Sequence, residues 1–199
     1  MAAYGASLRG DLPLFLFAHS MGSFAAQSVI LNHSDQYTGV VLSGSTALDL
    51  LAAGMAEAEG PAGLEAFNAG FEHRTGYEWL SRDEKEVDRY VADPLCGFDL
   101  PDETVPALFG AAGTLADPTA LAGIRSSLPL LLVSGSEDPV GGGGQLVEVL
   151  GRRYRDAGLV DVTVKLYDGA RHEILNEINR DEVTADVVAW LDAHSLPSG

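Results

Sequence analysis

The distribution of apolar residues along the chain predicts four short strands. A continuous apolar run covers residues 14–18, and further strand candidates lie at 39–43, 130–134 and 162–166. A short run without alternation of polar and apolar positions is typical of a strand that is buried on both faces of a parallel sheet. The sequence therefore predicts an α/β fold with a parallel sheet of about four strands.

Helical patterns lie between and after these strands. They cover about residues 23–32, 145–156 and 180–194. Strands that alternate with helices favour parallel connections. Before the last helix, Asn179 and Glu182 have the spacing of a capping box, in which each side chain bonds to a backbone N–H at the start of the helix.

Residues 47–123 break this alternation. The segment is rich in Ala, Gly and Glu, contains the clearest aromatic clusters and has no convincing buried strand. Because it is too long for a connecting loop, we expect a helical insertion that lies as a lid over one end of the sheet. In this interpretation residues 1–199 form a single domain. A small independent helical domain is the alternative.

Size and charge narrow the range of functions. A chain of 199 residues, 46% of them hydrophobic, can bury the core of one domain. Its net charge of −17 disfavours nucleic acid and anionic membrane surfaces as partners. The apolar runs are too short to cross a bilayer, and the residues after Met1 lack the pattern of a secretory leader. We therefore expect a cytoplasmic protein without an integral membrane segment.

Two further features are expected to have no catalytic role. The single cysteine, Cys96, excludes an intrachain disulfide and a cysteine-rich metal cluster, and we interpret it as a pocket-lining residue. Gly141–Gly144 could be mistaken for a phosphate cradle, but no lysine follows, and a flexible lead-in to the next helix is the favoured interpretation. We expect neither a metal nor a cofactor.

Ser20 is the candidate nucleophile. It lies in the motif A-H-S-M-G, between the first strand and the first helix. This is a variant of the G-x-S-x-G elbow, whose sharp turn lifts the serine hydroxyl above the sheet. Ala18 and Gly22 are small enough to let the strand and helix pass closely, and the helix N-terminus favours developing negative charge. An ordinary tight turn is the alternative.

A serine hydroxyl needs a base, and His172 is the candidate. It lies in a polar loop between the fourth strand and the last helix, where an imidazole can be held over the carboxyl end of the sheet. We interpret the other histidines as structural in the case of His19 and as surface residues in the cases of His33, His73 and His194.

The base in turn needs a carboxylate that fixes its tautomer and stabilises the imidazolium. Asp138 follows the third strand, again at the carboxyl end. Glu137 is the adjacent rival, and its alternative role is that of a solvated loop charge.

Four motifs resemble the serine aminopeptidase and monoacylglycerol lipase branch of the α/β-hydrolases, which includes lysophospholipase-like bacterial enzymes. In chain order they are F-A-H-S-M-G, D-P-L-C-G-F, S-G-S-E-D-P-V-G and G-A-R-H-E-I-L-N-E-x-N-R-D-E-V. The order of Ser20, Asp138 and His172 is also the one used by α/β-hydrolases.

The resemblance implies a carboxylic ester hydrolase that forms an acyl-enzyme on Ser20 and acts on small ester or lipid-like substrates of the monoacylglycerol or lysophospholipid type. It implies that the Met21 amide is one oxyanion donor. It also implies that the substrate lies near residues 93–98, with Leu95, Cys96 and Phe98 as binding residues. A small-substrate aminopeptidase is an alternative within the same family.

The sequence departs from this family in two ways. Ala18 stands where glycine is usual, and the chain opens almost at the nucleophile strand, without the preceding strands and His-Gly oxyanion loop. One lost oxyanion donor costs about a hundred- to a thousandfold in rate. We therefore expect the carboxyl-terminal part of a longer hydrolase, weakly active alone, whose apolar edge strand invites self-association. A non-catalytic remnant or binding module is the alternative.

Overall fold

The four predicted strands form one parallel sheet, in the order in which they occur in the chain. The computed structural model describes residue 7 and residues 12–57, 64–98 and 104–195. The register places Val41 opposite both Phe17 and Leu131. The predicted fold class is confirmed, and the strand boundaries differ from the prediction by at most one residue. The strands are β1 (Phe15–His19), β2 (Gly39–Ser43), β3 (Leu130–Gly135) and β4 (Val162–Tyr167).

The three predicted helices are present, and additional helices lie between β2 and β3. The α-helices of the described residues are α1 (Met21–His33), α2 (Leu48–Glu57), α3 (Glu84–Ala92), α4 (Thr104–Phe109), α5 (Ala112–Ala116), α6 (Pro118–Leu121), α7 (Gln145–Asp156) and α8 (Arg180–Ser195). Short 3₁₀ helices cover Ser34–Gln36, Leu64–Asn68, Glu78–Leu80 and Ile174–Asn176.

Apolar side chains cover both faces of the sheet. On one face Leu42 and Leu132 pack against α1, α7 and the helices of the insertion. On the other face Val41 and Leu131 pack against α8 through Val183. Successive residues of a strand point to opposite faces, so β2 and β3 need apolar residues at adjacent positions. This burial explains why their sequences do not alternate between polar and apolar residues.

Between β2 and β3 the described residues form helices and connecting loops, and no strand lies among them. The Arg153 guanidinium of α7 donates to both carboxylate oxygens of Asp49 in α2, at 2.6 and 2.9 Å. This bidentate ion pair ties the start of the insertion to the helical layer that covers the sheet. The role of the insertion as a lid stays a prediction.

β1 is an edge of the sheet formed by the described residues. It pairs with β2, and the Phe17 side chain is 40% exposed. The predicted self-association through this edge stays a prediction. None of the helices in the described part of the chain is long and apolar enough to cross a membrane. The expected cytoplasmic location also stays a prediction.

The prediction of a capping box at the last helix is wrong, because Asn179 and Glu182 bond to side chains and not to the helix backbone. The Asn179 side-chain oxygen accepts a hydrogen bond from Arg82 Nη2 at 3.0 Å, and its amide nitrogen donates to the Glu182 carboxylate at 3.0 Å. The two side chains thus bind each other instead of the helix backbone. The Arg82 guanidinium, which belongs to the insertion, donates to the Asn179 oxygen that was expected to cap the helix.

Gly135, the last residue of β3, is required by a close approach of two backbones. A Cβ atom at this position would lie 1.9 Å from the Ala170 carbonyl oxygen and 2.4 Å from that of Arg171. Both carbonyls belong to the loop that leads to His172. Glycine therefore lets this loop lie directly against the end of β3.

We predict that Gly135→Ala lowers the free energy of unfolding by more than about 2 kcal/mol, because a backbone segment must shift to remove the clash. Gly54→Ala, in the middle of α2, is the matched control, since a Cβ atom there meets nothing within 4 Å. The control should be neutral or stabilising by roughly 0.5–1 kcal/mol. Urea unfolding measures both, and equal stabilities of the two variants would contradict the prediction.

Candidate active site

Ser20 lies in a strained turn between β1 and α1. Its backbone has φ 52° and ψ −129°, and among the described non-glycine residues it alone has a positive φ. Its amide donates to the Ser43 carbonyl at the end of β2, at 2.9 Å. Strain of this kind persists only where the surroundings impose it, and it is common at functional sites.

A buried polar network supports this turn from the helix side. The Ser23 amide and hydroxyl both donate to the Ser20 carbonyl, at 2.8 and 2.6 Å. Ser45 connects the Ser23 hydroxyl to the Gln27 amide through bonds of 2.8 and 3.0 Å. Since Ser23, Gln27 and Ser45 are almost completely buried, the network fixes the start of α1 against the loop after β2.

The two small residues around Ser20 have different surroundings. Ala18 is buried in the core, as the elbow interpretation requires. A Cβ atom at Gly22, by contrast, would meet nothing within 4 Å. The expectation that Gly22 must be small for the passage of strand and helix is therefore not supported by the described residues.

The structure brings Ser20, Asp138 and His172 together. Ser20 Oγ lies 2.9 Å from His172 Nε2, and His172 Nδ1 lies 3.0 and 3.1 Å from the two Asp138 carboxylate oxygens. A carboxylate only accepts hydrogen bonds, so the proton of a neutral imidazole belongs on Nδ1. Nε2 is then an acceptor, and the Ser20 hydroxyl donates to it. This is the geometry that proton transfer from the hydroxyl requires.

Asp138 is held as a buried carboxylate. Its Oδ2 accepts from the Ser134 hydroxyl at 2.8 Å and its Oδ1 from the Val140 amide at 2.9 Å. Burial acts to raise the pKa of Asp138, but the charge and hydrogen bond of His172 and the bonds from Ser134 and Val140 outweigh it, and the pKa is lowered. Glu137 is exposed, so the structure favours Asp138 over this rival.

Three residues surround the His172 imidazole. The ring centroids of His19 and Trp79 lie 4.8 and 5.0 Å from its own. A Cβ atom at Gly44, where φ is +54°, would approach His172 Cε1 to 2.9 Å. The imidazole is only 2% exposed, and these neighbours restrict its rotation. No sequence signal connects Trp79 or Gly44 with the base.

His19 has a structural position, as its interpretation from sequence expects. Its Nδ1 lies 3.1 Å from the Ser43 hydroxyl, in the last residue of β2. Burial, followed by the nearby charge of His172, lowers the pKa of His19 from 6.5 to about 4. His19 is therefore neutral at physiological pH and leaves His172 without a competing positive charge.

The remaining histidines lie away from the triad. His33 and His73 are exposed, as expected. His194 differs from the expectation of a surface residue, because its ring contacts Trp190 at 4.3 Å and its Nε2 lies 3.0 Å from the Asp161 carboxylate. These contacts attach the end of α8 to the residue before β4.

A groove of about 380 Å³ begins at Met21, the residue that follows Ser20, and runs along α1. One wall is the first turns of α1, with Met21 and Phe24, and the other is formed by Ala107, Leu108 and Ala111 in and after α4. The lining is mostly apolar. The groove has no signal in the sequence, because it depends on the packing of α1 against α4 in the fold.

Comparison with known proteins identifies the family. A family model described as serine aminopeptidase, S33, matches residues 4–179. The chain belongs to this family. It is 30% identical to a monoacylglycerol lipase from Mycolicibacterium smegmatis, over 92% of this chain and 63% of that protein. It is 28% identical to a mouse monoglyceride lipase, over 95% of this chain and 61% of that protein. The chain thus spans less than two thirds of either relative.

Solved structures share the fold of this S33 family member. A thermostable carboxyl esterase from Bacillus coagulans has a TM-score of 0.81 and 25% identity, covering 98% of this chain and 69% of that one. A Paleococcus ferrophilus monoacylglycerol lipase has a TM-score of 0.67 and 23% identity, covering 97% of this chain and 73% of that one. These similarities identify the architecture as the α/β-hydrolase fold.

The other predicted site residues of the S33 domain lie near the triad or on the surface. Met21 is the first residue of α1, where backbone N–H groups have no partner within the helix. Leu95 and Phe98 are 79% and 60% exposed, and Cys96 is half-buried. None of these three lines the groove beside Ser20. Their role in substrate binding stays a prediction.

The glycine run of the S33 domain has an ordered role before α7. Gly142, Gly143 and Gly144 have positive φ angles, and Gly144 is the N-cap of α7. The Gly143 amide donates to the Asp138 carbonyl at 2.9 Å, so this turn is tied to the triad carboxylate residue. Within the described part of the chain, no group of three or more His, Cys, Asp or Glu residues could hold a metal ion.

The lowered pKa of His19 predicts a pH-dependent stability. Between about 6.5 and about 4 the unfolded chain binds the His19 proton and the folded chain does not. The free energy of unfolding should therefore fall as the pH falls through this range, by about 2 kcal/mol between about pH 7 and about pH 5. His19→Gln should remove this part of the dependence, and the exposed His33→Gln should keep it. Urea unfolding at the two pH values tests this. The same change in the free energy of unfolding for the unmodified chain, His19→Gln and His33→Gln would refute it.

Proposed function

We propose that this chain hydrolyses carboxylic esters through an acyl-enzyme on Ser20. The observation that carries the proposal is the pair of short contacts around one imidazole. His172 Nε2 lies 2.9 Å from the Ser20 hydroxyl oxygen, while Nδ1 lies 3.0 Å from a buried Asp138 oxygen. This arrangement supplies a nucleophile, a base and a group that fixes the orientation of the base.

In the proposed reaction, Ser20 Oγ attacks the ester carbonyl carbon and His172 Nε2 takes the hydroxyl proton. The tetrahedral intermediate collapses, the bond to the alcohol oxygen breaks, and His172 returns the proton to the leaving alcohol. Water then repeats the sequence on the acyl group and releases a carboxylic acid and free Ser20. Asp138 stabilises the imidazolium at both stages.

The negative charge of the intermediate needs hydrogen-bond donors. We propose the Met21 amide as one of them, because it follows the nucleophile directly and opens the 13-residue helix α1. Its N–H belongs to the first turn of a helix, where the helix dipole adds to the attraction for an oxyanion.

We propose esters with an apolar acyl chain, of the monoacylglycerol or lysophospholipid type, as the substrate class. The groove beside Ser20 offers an apolar wall of Met21, Phe24 and Leu108 within about 380 Å³. The curated relatives are named monoacylglycerol lipase and monoglyceride lipase. A mostly apolar cleft next to a few polar catalytic groups is typical of a site for such ligands.

Ser20→Ala should reduce the hydrolysis of p-nitrophenyl esters by about 10⁴-fold or more, because no other group in the triad can form the acyl-enzyme. A fluorophosphonate probe should label the unmodified chain at Ser20 and should leave Ser20→Ala unlabelled. Aminoacyl p-nitroanilides, as peptidase substrates, should be cleaved more slowly than the esters.

Ser195→Ala serves as the control for this experiment, because Ser195 lies at the end of α8, away from the groove, and its hydroxyl donates to the Leu191 carbonyl. It should keep both hydrolysis and labelling. A folded chain that neither hydrolyses esters nor reacts with the probe would contradict the proposed function and favour a non-catalytic binding module.

Ala107→Trp should fill the groove and discriminate against long acyl chains. We expect KM for p-nitrophenyl decanoate to rise about tenfold, while the kinetics with p-nitrophenyl acetate stay nearly unchanged, because a short acyl group does not need the groove. Ala107 is exposed, so the folding cost should be small.

Ala185→Trp, on the exposed side of α8, is the matched control, because it adds the same side chain outside the groove. It should leave KM unchanged for both esters. Equal effects of Ala107→Trp on the short and the long ester would show that the groove does not bind the acyl chain.

A further inference from the structure

Two segments that are distant in the sequence form a short ladder beside the triad. The His172 amide donates to the Trp79 carbonyl at 3.3 Å, and the Glu173 amide donates to the Leu80 carbonyl at 2.7 Å. The insertion thus supplies the backbone on which the loop of the base rests.

Glu177 joins these two segments with a carboxylate that is 0% exposed. Its Oε1 accepts from the backbone amides of Arg82 and Arg171, at 3.1 and 2.9 Å. Its Oε2 accepts from Arg82 Nε and from the Ile178 amide, at 2.9 and 3.0 Å. Four donors thus surround one carboxylate, and the Arg171 amide belongs to the residue that directly precedes His172.

The two arginines extend the connection on both sides. Arg171 Nη1 reaches back to the insertion and donates to the carbonyls of Glu78 and Ser81, at 2.8 and 3.2 Å. Arg82 Nη2 reaches forward and donates to Asn179 Oδ1 at 3.0 Å. We call Glu177, Arg82 and Arg171 the clasp, because each of them makes hydrogen bonds that cross between the insertion and the loop of His172.

We infer that Glu177 is a positioning residue for the base His172. The clasp fixes the Arg171 amide and the insertion backbone relative to each other, and the His172 backbone is attached to both of them. Through Trp79 the same insertion backbone also delivers the ring that lies 5.0 Å from the imidazole. A displacement of an imidazole by about 1 Å costs about a hundredfold in rate, so a loosened clasp should be visible in catalysis.

The competing explanation is that Glu177 only stabilises the fold. In that case, a substitution of this buried carboxylate, which has four donors, would lower the melting temperature. It would not change the activity of the folded protein at lower temperature. The inference rests on the proposed function for its kinetic readout, and it differs from the stability explanation in what happens to molecules that are still folded.

The test compares Glu177→Gln with Asp49→Asn, well below both melting temperatures. Gln at position 177 keeps one acceptor oxygen and places an NH₂ group against two of the donors. Asp49→Asn weakens a bidentate ion pair to Arg153, which joins α2 to α7 outside the clasp. Glu177→Gln should lower kcat and the rate of fluorophosphonate labelling about 10- to 100-fold with little change in KM. Asp49→Asn should leave both rates unchanged.

A second readout is independent of ester hydrolysis. The proton shared by His172 Nδ1 and Asp138 should give a downfield NMR resonance in the unmodified chain and in Asp49→Asn. In Glu177→Gln this resonance should shift or broaden. If the unmodified chain has no esterase activity, the proposed function fails, while the resonance still tests the positioning role.

An unchanged resonance together with an unchanged labelling rate in folded Glu177→Gln would overturn the inference. If this variant does not fold, Arg82→Lys replaces it, because it keeps the charge but loses the bonds from Nη1 and Nη2 to Asp168 and Asn179. The same kinetic and NMR changes, of smaller size, are then expected, and their absence would equally overturn the inference.

Discussion

The orientation of one buried imidazole is the constraint on which the rest of this site depends. His172 must present Nε2 to Ser20 and Nδ1 to Asp138, although 152 and 34 residues separate it from these partners. A parallel sheet solves part of this problem, because the carboxyl ends of β1, β3 and β4 meet at one edge. Close packing around the imidazole and its loop then fixes the orientation of the ring, and this packing requires glycine at positions 44 and 135.

The arrangement buries Asp138 fully and His19 in part, and the cost of burying each of them is offset by its own surroundings. Asp138 is buried with donors from Ser134, Val140 and His172, and this set keeps its pKa low. His19 is compensated differently, because its lowered pKa keeps it uncharged beside the base. Buried polar groups are tolerated when their hydrogen bonds are made, and here they also remove alternative positions for the imidazole.

The sequence predicted the parts of the molecule that depend on local pattern. The apolar strands, the strand–turn–helix at Ser20 and the loops that carry Asp138 and His172 all follow from short segments. The clasp, the Trp79 contact and the groove between α1 and α4 did not, because each depends on the path of the insertion across the sheet. Asn179 shows the same limit, since its capping role was changed by Arg82, 97 positions away.

The insertion does more than cover the sheet, because it contacts the proposed site in two places. Residues 78–82 support the base, while Ala107, Leu108 and Ala111 form one wall of the groove beside the nucleophile. The same stretch between β2 and β3 therefore contacts both the proposed base, His172, and the space proposed for the substrate. An exchange of the whole insertion between relatives would alter the support of His172 together with acyl selectivity. Under the proposed function, we expect changes at residues of the groove wall, such as Ala107, to alter acyl selectivity alone. Changes at the residues that bond to Glu177 are expected to alter the position of His172 as well.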